Sequence, residues 1–271
     1  MVGHVEWIEF ARVDRVPESG GIAHAVDPWE EVGGGGAVAA VQLAKLAGAC
    51  DLFTRLGDDG LGLRARERLE ALGVRLHATS AGATRRALTL VEPLGERTIT
   101  TIGERLAPER SDLLPWHELA EANALYYTAG DAGALRAARD AGTLVATSRQ
   151  TRPLMEAAVP LDALVGSGSD LSELYDRGQI DPEPRLVVRT AGAAGGEYET
   201  SDGERGSWEA TPLPGPAGDA YGCGDSFAAG LTFALAKGHG AGEAVRLAAR
   251  CGASALTGSG PFEGQLRSHQ I

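Results

Sequence analysis

The chain is poor in cysteine, with Cys50, Cys223 and Cys251 far apart and odd in number. Such spacing fits neither a disulfide scaffold nor a zinc cluster and suggests a reducing cytosol. It also lacks a basic tract: 25 Lys and Arg stand against 37 Asp and Glu, a net charge of −12. That deficit argues against a binder of nucleic-acid phosphates and against an anionic membrane surface. No apolar run approaches the roughly 20 residues that span a bilayer. Met1-Val2-Gly3-His4-Val5-Glu6 carries no basic segment before an apolar stretch, so no signal peptide is expected. The six histidines show no metal-ligand spacing. No Walker P-loop occurs. No Gly-x-Gly-x-x-Gly follows the first strand with an acidic residue about 20 positions later, which leaves a dinucleotide oxidoreductase without support.

What the chain has is length and glycine. Its 271 residues are 43% hydrophobic, enough for a large core, and many of its 38 glycines fall in short clusters. The pattern predicts a strand over 2–10, a mixed segment with short exposed strands over 11–32, and a small-residue helix after Gly33-Gly34-Gly35-Gly36. A strand over 51–56, a turn at Gly57-Asp58-Asp59-Gly60 and a helix over 61–72 follow, with Gly73 as its C-cap. Residues 85–102 read as a polar hairpin outside the main core. Beyond residue 122 strands (123–128, 143–147, 162–165, 185–190) alternate with helices (131–141, 151–158, 169–176). Short strands near 196–200 and 206–210 precede two Ala-rich helices, 223–237 and 241–256. The expectation is one doubly wound, mostly parallel α/β domain over 1–271, with a small β-flap drawn from 11–32 and 85–102.

Pro216 to Leu231 carries the chemistry. Gly222-Cys223-Gly224 leads into an apolar helix, whose N-terminus has unpaired N–H groups and a partial positive charge suited to an anion. Asp225 lies just inside that helix, where a carboxylate can take a proton from a hydroxyl while the N–H groups hold a transferred phosphoryl group. From these residues alone, a glycine-containing helix entry with Asp225 as its dipole partner is an equally good reading.

Asp219-x-x-Gly222-x-Gly224-Asp225 with Ala229-Gly230-Leu231 resembles the C-terminal signature of the PfkB, or ribokinase-like, carbohydrate kinases. Gly33-Gly34 through Leu46, then Arg55-Leu56-Gly57-Asp58-Asp59-Gly60-Leu61-Gly62, is similar to the N-terminal one, and Val187 to Gly195 to the nucleotide-side strand and turn. The resemblance implies a ribokinase-like fold with a lid, ATP with Mg²⁺, and phosphoryl transfer to a hydroxyl of a small-molecule acceptor such as a sugar, sugar acid or nucleoside. It makes Asp225 the catalytic base and Gly222, Cys223 and Gly224 the anion hole. Thr190, Gly192, Gly195, Ala249 and Ala253 would face the nucleotide, and Gly33 and Gly34 the substrate. It further implies a monovalent cation near Asp219 and a homodimer through the lid.

The departures from the family pattern are specific. Val38 stands where Asn is common, Glu6 and Ile8 where an Asn-x-Asp pair grips a sugar, and Gly130, beside Asp131, where a substrate-side Glu is usual. Missing polar groups argue against an ordinary ribose pocket. The Mg²⁺-organising Asn-x-x-Glu aligns with Ser167-Gly168-Ser169-Asp170, so Asp170 is either the metal-side carboxylate or simply a helix cap. Arg86, Arg97, Arg105, Arg149 and Arg152 lie near the expected pocket. Two of them converging would favour a phosphorylated or carboxylated substrate; otherwise each is a solvated surface Arg. Trp7 and Trp116 read as packing residues. A non-catalytic binding protein of the same fold is the competing reading.

Overall fold

The computed structural model describes residues 1–271. Its first half runs β1 (Glu6–Arg12), β2 (Val26–Gly33), α1 (Gly35–Ala47), β3 (Cys50–Leu56), α2 (Gly60–Ala71), β4 (Val74–Ser80), β5 (Arg86–Val91) and β6 (Arg97–Ile102). The second runs β7 (Ala124–Tyr127), α3 (Ala132–Ala138), β8 (Thr143–Thr147), α4 (Thr151–Ala157), β9 (Ala163–Ser167), β10 (Leu186–Thr190), β11 (Gly196–Thr200), β12 (Arg205–Trp208), α5 (Cys223–Ala236) and α6 (Ala241–Ala255). No helix is long and apolar enough to cross a membrane.

The central sheet has the order β12-β11-β10-β9-β8-β7, parallel from β7 to β10 and closed by an antiparallel edge hairpin. The N-terminus extends it. Val2 donates to the Tyr126 carbonyl (3.1 Å) and accepts from Thr128 N–H (2.9 Å), while Gly3 donates to Phe53 (3.2 Å). One bridging residue thus joins β7 to the parallel pair β3-β4. Strands such as Leu144-Val145-Ala146 are buried on both faces, as helix-covered parallel sheets require. Tyr126, Val145 and Val188 pack in the larger core with α1, α5 and α6; Leu125, Leu144 and Val187 pack in the other with α3 and α4.

The small sheet has the order β2-β1-β5-β6, with β1 and β5 parallel. Register puts Ile8 beside Ala87 and Phe10 beside Thr89, then Thr101, Ile99 and Arg97 opposite Ala87, Thr89 and Val91. These residues share one face because strand side chains alternate. Arg85, two residues before Ala87, and Glu6, two before Ile8, continue that face.

Several expectations need correction. The first strand covers Glu6–Arg12, not 2–10, and belongs to the small sheet. Of 11–32, only the part from Val26 onward forms a second strand. The expected reading had no strand at Val74–Ser80, where β4 lies, a half-exposed edge strand whose polar residues hide the alternation. The helix over 169–176 does not form. There Ser167 Oγ accepts from Ser169 N–H (3.2 Å) and Asp170 Oδ1 from Ser172 N–H (2.9 Å), offering the backbone turns in place of a helix.

Candidate active site

The site forms where α5 begins, outside the carboxyl ends of β8, β9 and β10, as open α/β sheets favour. Gly222 caps the helix with φ 80°, a left-handed conformation that glycine adopts without strain. A Cβ there would also lie 2.8 Å from Val38 Cγ1. Val38 is therefore packing beneath the loop, fully buried, and its side chain offers no polar contact to a substrate. Cys223 N–H leans on the Ala220 carbonyl at 3.5 Å, whereas the N–H groups of Gly222, Gly224 and Asp225 have no partner. The open donors are thus these three rather than 222–224.

The Asp225 carboxylate accepts no hydrogen bond from the protein. Its Oδ1 lies 2.8 Å from where a Cβ on Gly35 would stand, so the starts of α1 and α5 meet at this carboxylate. Burial pushes its pKa up to about 6, and the neighbouring Glu173 carboxylate adds to the rise against the pull of Arg97 and Arg149. Glu173 sits inside the 167–173 turn: Oε2 accepts Ser167 N–H at 2.7 Å, and Oε1 pairs with Arg149. Arg149 also holds Asp170 Oδ2 at 2.6 Å and donates to Ser172 Oγ at 2.8 Å. Asp170 is therefore the brace of this turn, and Glu173 is the carboxylate that acts on Asp225. The aligned motif gave no sign of Glu173, three residues past its end.

The glycine run fits tightly against residues 3–6. Gly34 (φ 86°) donates to Tyr221 Oη at 3.0 Å, and a Cβ on Gly33 would stand 2.7 Å from both Tyr221 Oη and Ile8 Cγ1. Glu6 is 6% exposed, with Oε1 3.2 Å from Arg85 Nη1 and 3.5 Å from His4 Nε2. Burial raises the pKa of Glu6 and, with Arg105, Arg85 and Arg149 nearby, holds that of His4 well below its ordinary value. Sequence reasoning chose Arg86 and passed over Arg85 and His4. Arg86 instead pairs with Glu9 at 3.7 Å on the outer face, and Arg152 with Glu156 at 2.8 Å on the surface. Arg97 begins β6 beside the turn whose Gly95 carbonyl accepts Ala220 N–H at 3.0 Å, which brings its charge near Asp225.

Several of the other named residues make contacts that hold the fold together. Asp131 caps α3 by accepting Ala134 N–H (2.7 Å), and a Cβ at Gly130 would meet Tyr127 at 3.0 Å. Asp219 is fully buried and accepts from Tyr221 N–H (2.8 Å) and Gly260 N–H (3.2 Å), tying the last turn to the entry of α5. Trp7 donates to Glu30 (3.2 Å) under Arg64, and Trp116 to the Asp112 carbonyl (3.1 Å), both as packing residues. On the other side of the loop, Gly168 N–H donates to the Thr190 carbonyl (2.8 Å), so the ends of β9 and β10 lie together. Gly192 (φ 55°) and Gly195 (φ 84°) turn the chain after Thr190. Gly252 on α6 stands against the Cys223 carbonyl, with Ala253 partly exposed beside it and Ala249 buried in the core.

A carboxylate with this pKa, acting as a base, would set a pH profile. With Asp225 in that role, kcat/KM would rise with pH up to about 6 and then level. Below that point it should fall about tenfold per pH unit. Glu173→Gln removes a like charge and should move this limb to lower pH. A limb unchanged in that variant would detach Glu173 from the base.

An unpaired carboxylate beside open backbone donors suits transfer of a phosphoryl group to a hydroxyl. The pfkB family carbohydrate kinase model matches residues 1–158 and 160–266, and the chain belongs to that family, the ATP-dependent phosphotransferases with an alcohol group as acceptor. The ATP-dependent ribose-1-phosphate kinase of Halopiger xanaduensis is 30% identical to it over 269 residues, covering 93% of this chain and 89% of that protein. A putative ribokinase from Agrobacterium tumefaciens superposes with a TM-score of 0.80 at 20% identity, covering 99% of this chain and 94% of the other. Ribokinase from Thermotoga maritima gives 0.78 at 20% identity, covering 99% and 96%. The fold is therefore ribokinase-like.

Proposed function

We propose that the protein transfers the γ-phosphoryl group of ATP to a sugar hydroxyl, with Asp225 as general base. The observation that carries this reading is the unpaired Asp225 carboxylate beside the open N–H groups of Gly222, Gly224 and Asp225. The hydroxyl gives its proton to Asp225 as its oxygen attacks, while those N–H groups hold the charge on the phosphoryl oxygens. Arg97 adds a positive charge from the small sheet. Thr190, Gly192, Gly195 and Ala253 form the nucleotide side.

No three carboxylate, His or Cys side chains gather into a cage for a metal. The residues do fit Mg²⁺ carried on the nucleotide, which keeps several waters and needs only one or two carboxylates. Glu173 and Asp225 would hold those waters, and the ion would offset the repulsion that raises Asp225. When bound, it supplies positive charge to the phosphate oxygens. The free cysteines fit a reducing cytoplasm. Leu88 and Ile102, exposed on the outer face of the small sheet, would be the apolar contacts of a homodimer.

The relative's activity makes ribose 1-phosphate the first acceptor to assay. With MgATP, ADP formation is expected at about 1–100 s⁻¹. ATP binding without transfer to any sugar would overturn the kinase reading and favour a binding role. That alternative draws on Arg149, which already occupies Asp170 and Glu173.

A further inference from the structure

We infer that Arg85 and Arg105 form a phosphate subsite for the acceptor, at the end of the cleft lined by His4 and Glu6. The inference rests on the kinase reading and adds to it that the acceptor arrives already phosphorylated. Three observations support it. First, Arg85 lies on the inner face of the small sheet with its side chain 13% exposed, and its Nε is buried without a partner. Its only carboxylate is Glu6. Second, the Arg105 side chain forms no hydrogen bond or ion pair within the protein, its backbone carbonyl alone accepting from Ala107 N–H (3.1 Å). Gly103 (φ 93°) runs beside Arg85, a Cβ there standing 3.9 Å from Arg85 Cα, so the chain that carries Arg105, two residues on, leaves the small sheet next to Arg85. Arg105 is exposed, yet partial desolvation and then the charge of Arg85 push its pKa down. Third, His4 Nδ1 is also buried and unpartnered, at the same place.

Arg85 paired with one buried carboxylate, and a second arginine charge close to both, leave positive charge and donors unspent. Arg149 does not relieve them, since Asp170 and Glu173 already hold it. A phosphate accepts two guanidinium forks at once and matches their planar geometry. The neutral sugar pocket expected from the family is replaced here: the hydroxyl-gripping positions read Ile8 and Val38, while the charge sits at Glu6 and Arg85.

The test compares ribose 1-phosphate, ribose and ribonate as acceptors for the wild type, Arg105→Ala and Arg105→Lys. The wild type is expected to prefer ribose 1-phosphate over ribose by about 100-fold or more in kcat/KM. Arg105→Ala should raise KM for ribose 1-phosphate about 10–100-fold, a loss far larger than any on ribose, with KM for ATP nearly unchanged. Arg105→Lys should fall between, keeping charge but losing the fork. Preference for ribose, or for ribonate, would overturn the subsite and leave the kinase reading standing. So would equal losses on all acceptors, or none. Should nothing be phosphorylated, the kinase reading fails first, and calorimetry with ribose 1-phosphate decides: binding to the wild type but not to Arg105→Ala upholds the subsite, and any other result overturns it.

Discussion

Asp225→Asn is expected to lower turnover about 10²–10⁴-fold, the usual contribution of a positioned base. It should also make the protein more stable above pH 6. The sign follows from the raised pKa. The folded state binds the Asp225 proton more tightly than the unfolded chain does, so stability is lost as pH rises from the ordinary carboxylate range to about 6. Asn carries no charge to desolvate and forgoes that loss. Thermal unfolding at pH 8 should show Tm about 2–4 °C above the wild type. At pH 4 the two proteins should melt together. This combination separates a lost base from a damaged fold, because damage lowers Tm and turnover together. Retention of turnover within tenfold of the wild type would remove Asp225 from the chemistry. A Tm unchanged at pH 8 would mean that the carboxylate is solvated and its pKa ordinary.

The residues that announced the fold are those whose roles are local. Gly222 needs a left-handed backbone, the alternating strands beyond residue 122 need helices on both faces, and both are visible along the chain. What stayed hidden depends on partners distant in sequence. Val2 is a strand of one bridging residue, held by Tyr126, Thr128 and Phe53, and no short-range pattern marks it. The strand–helix alternation placed a helix at 169–176, but the short side chains of Ser167 and Asp170 capture the backbone first. At the site, Arg85 and Arg86 are adjacent, and strand alternation sends them to opposite faces. Which of the two enters the cleft depends on where β5 pairs with β1, a fact of the tertiary structure. Glu173 comes near Asp225 only because the turn before it folds back under Arg149. The glycine run was read as two residues facing the substrate, Gly33 and Gly34, whereas its packing against residues 3–6 and the division of labour within it depend on the tertiary structure.

That division gives the second large effect. Gly35→Ala is expected to lower kcat about 100-fold, the cost of moving a reacting group by about 1 Å, while the protein stays folded. The added Cβ would stand 2.8 Å from Asp225 Oδ1, too close for both to keep their places. Gly35 is the first residue of α1 and its φ is not in the left-handed region, so alanine meets no backbone strain there and helix propensity favours it. The carboxylate is the part free to yield, since nothing in the protein holds it by a hydrogen bond. It would swing away from Gly222 and Gly224, and binding of MgATP, measured by calorimetry, should change little. Gly36→Ala is the contrasting variant. Its Cβ would meet the His4 carbonyl at 2.6 Å and Gly3 C at 2.7 Å, both backbone atoms that cannot turn aside. There the loss should appear in Tm, through the strand that Val2 inserts between β3 and β7. If Gly35→Ala turned over normally, the carboxylate would have room to spare and α1 would have no part in fixing the base. If it melted as early as Gly36→Ala, the run would be one packing motif, and the placement of Asp225 would owe nothing to Gly35 in particular.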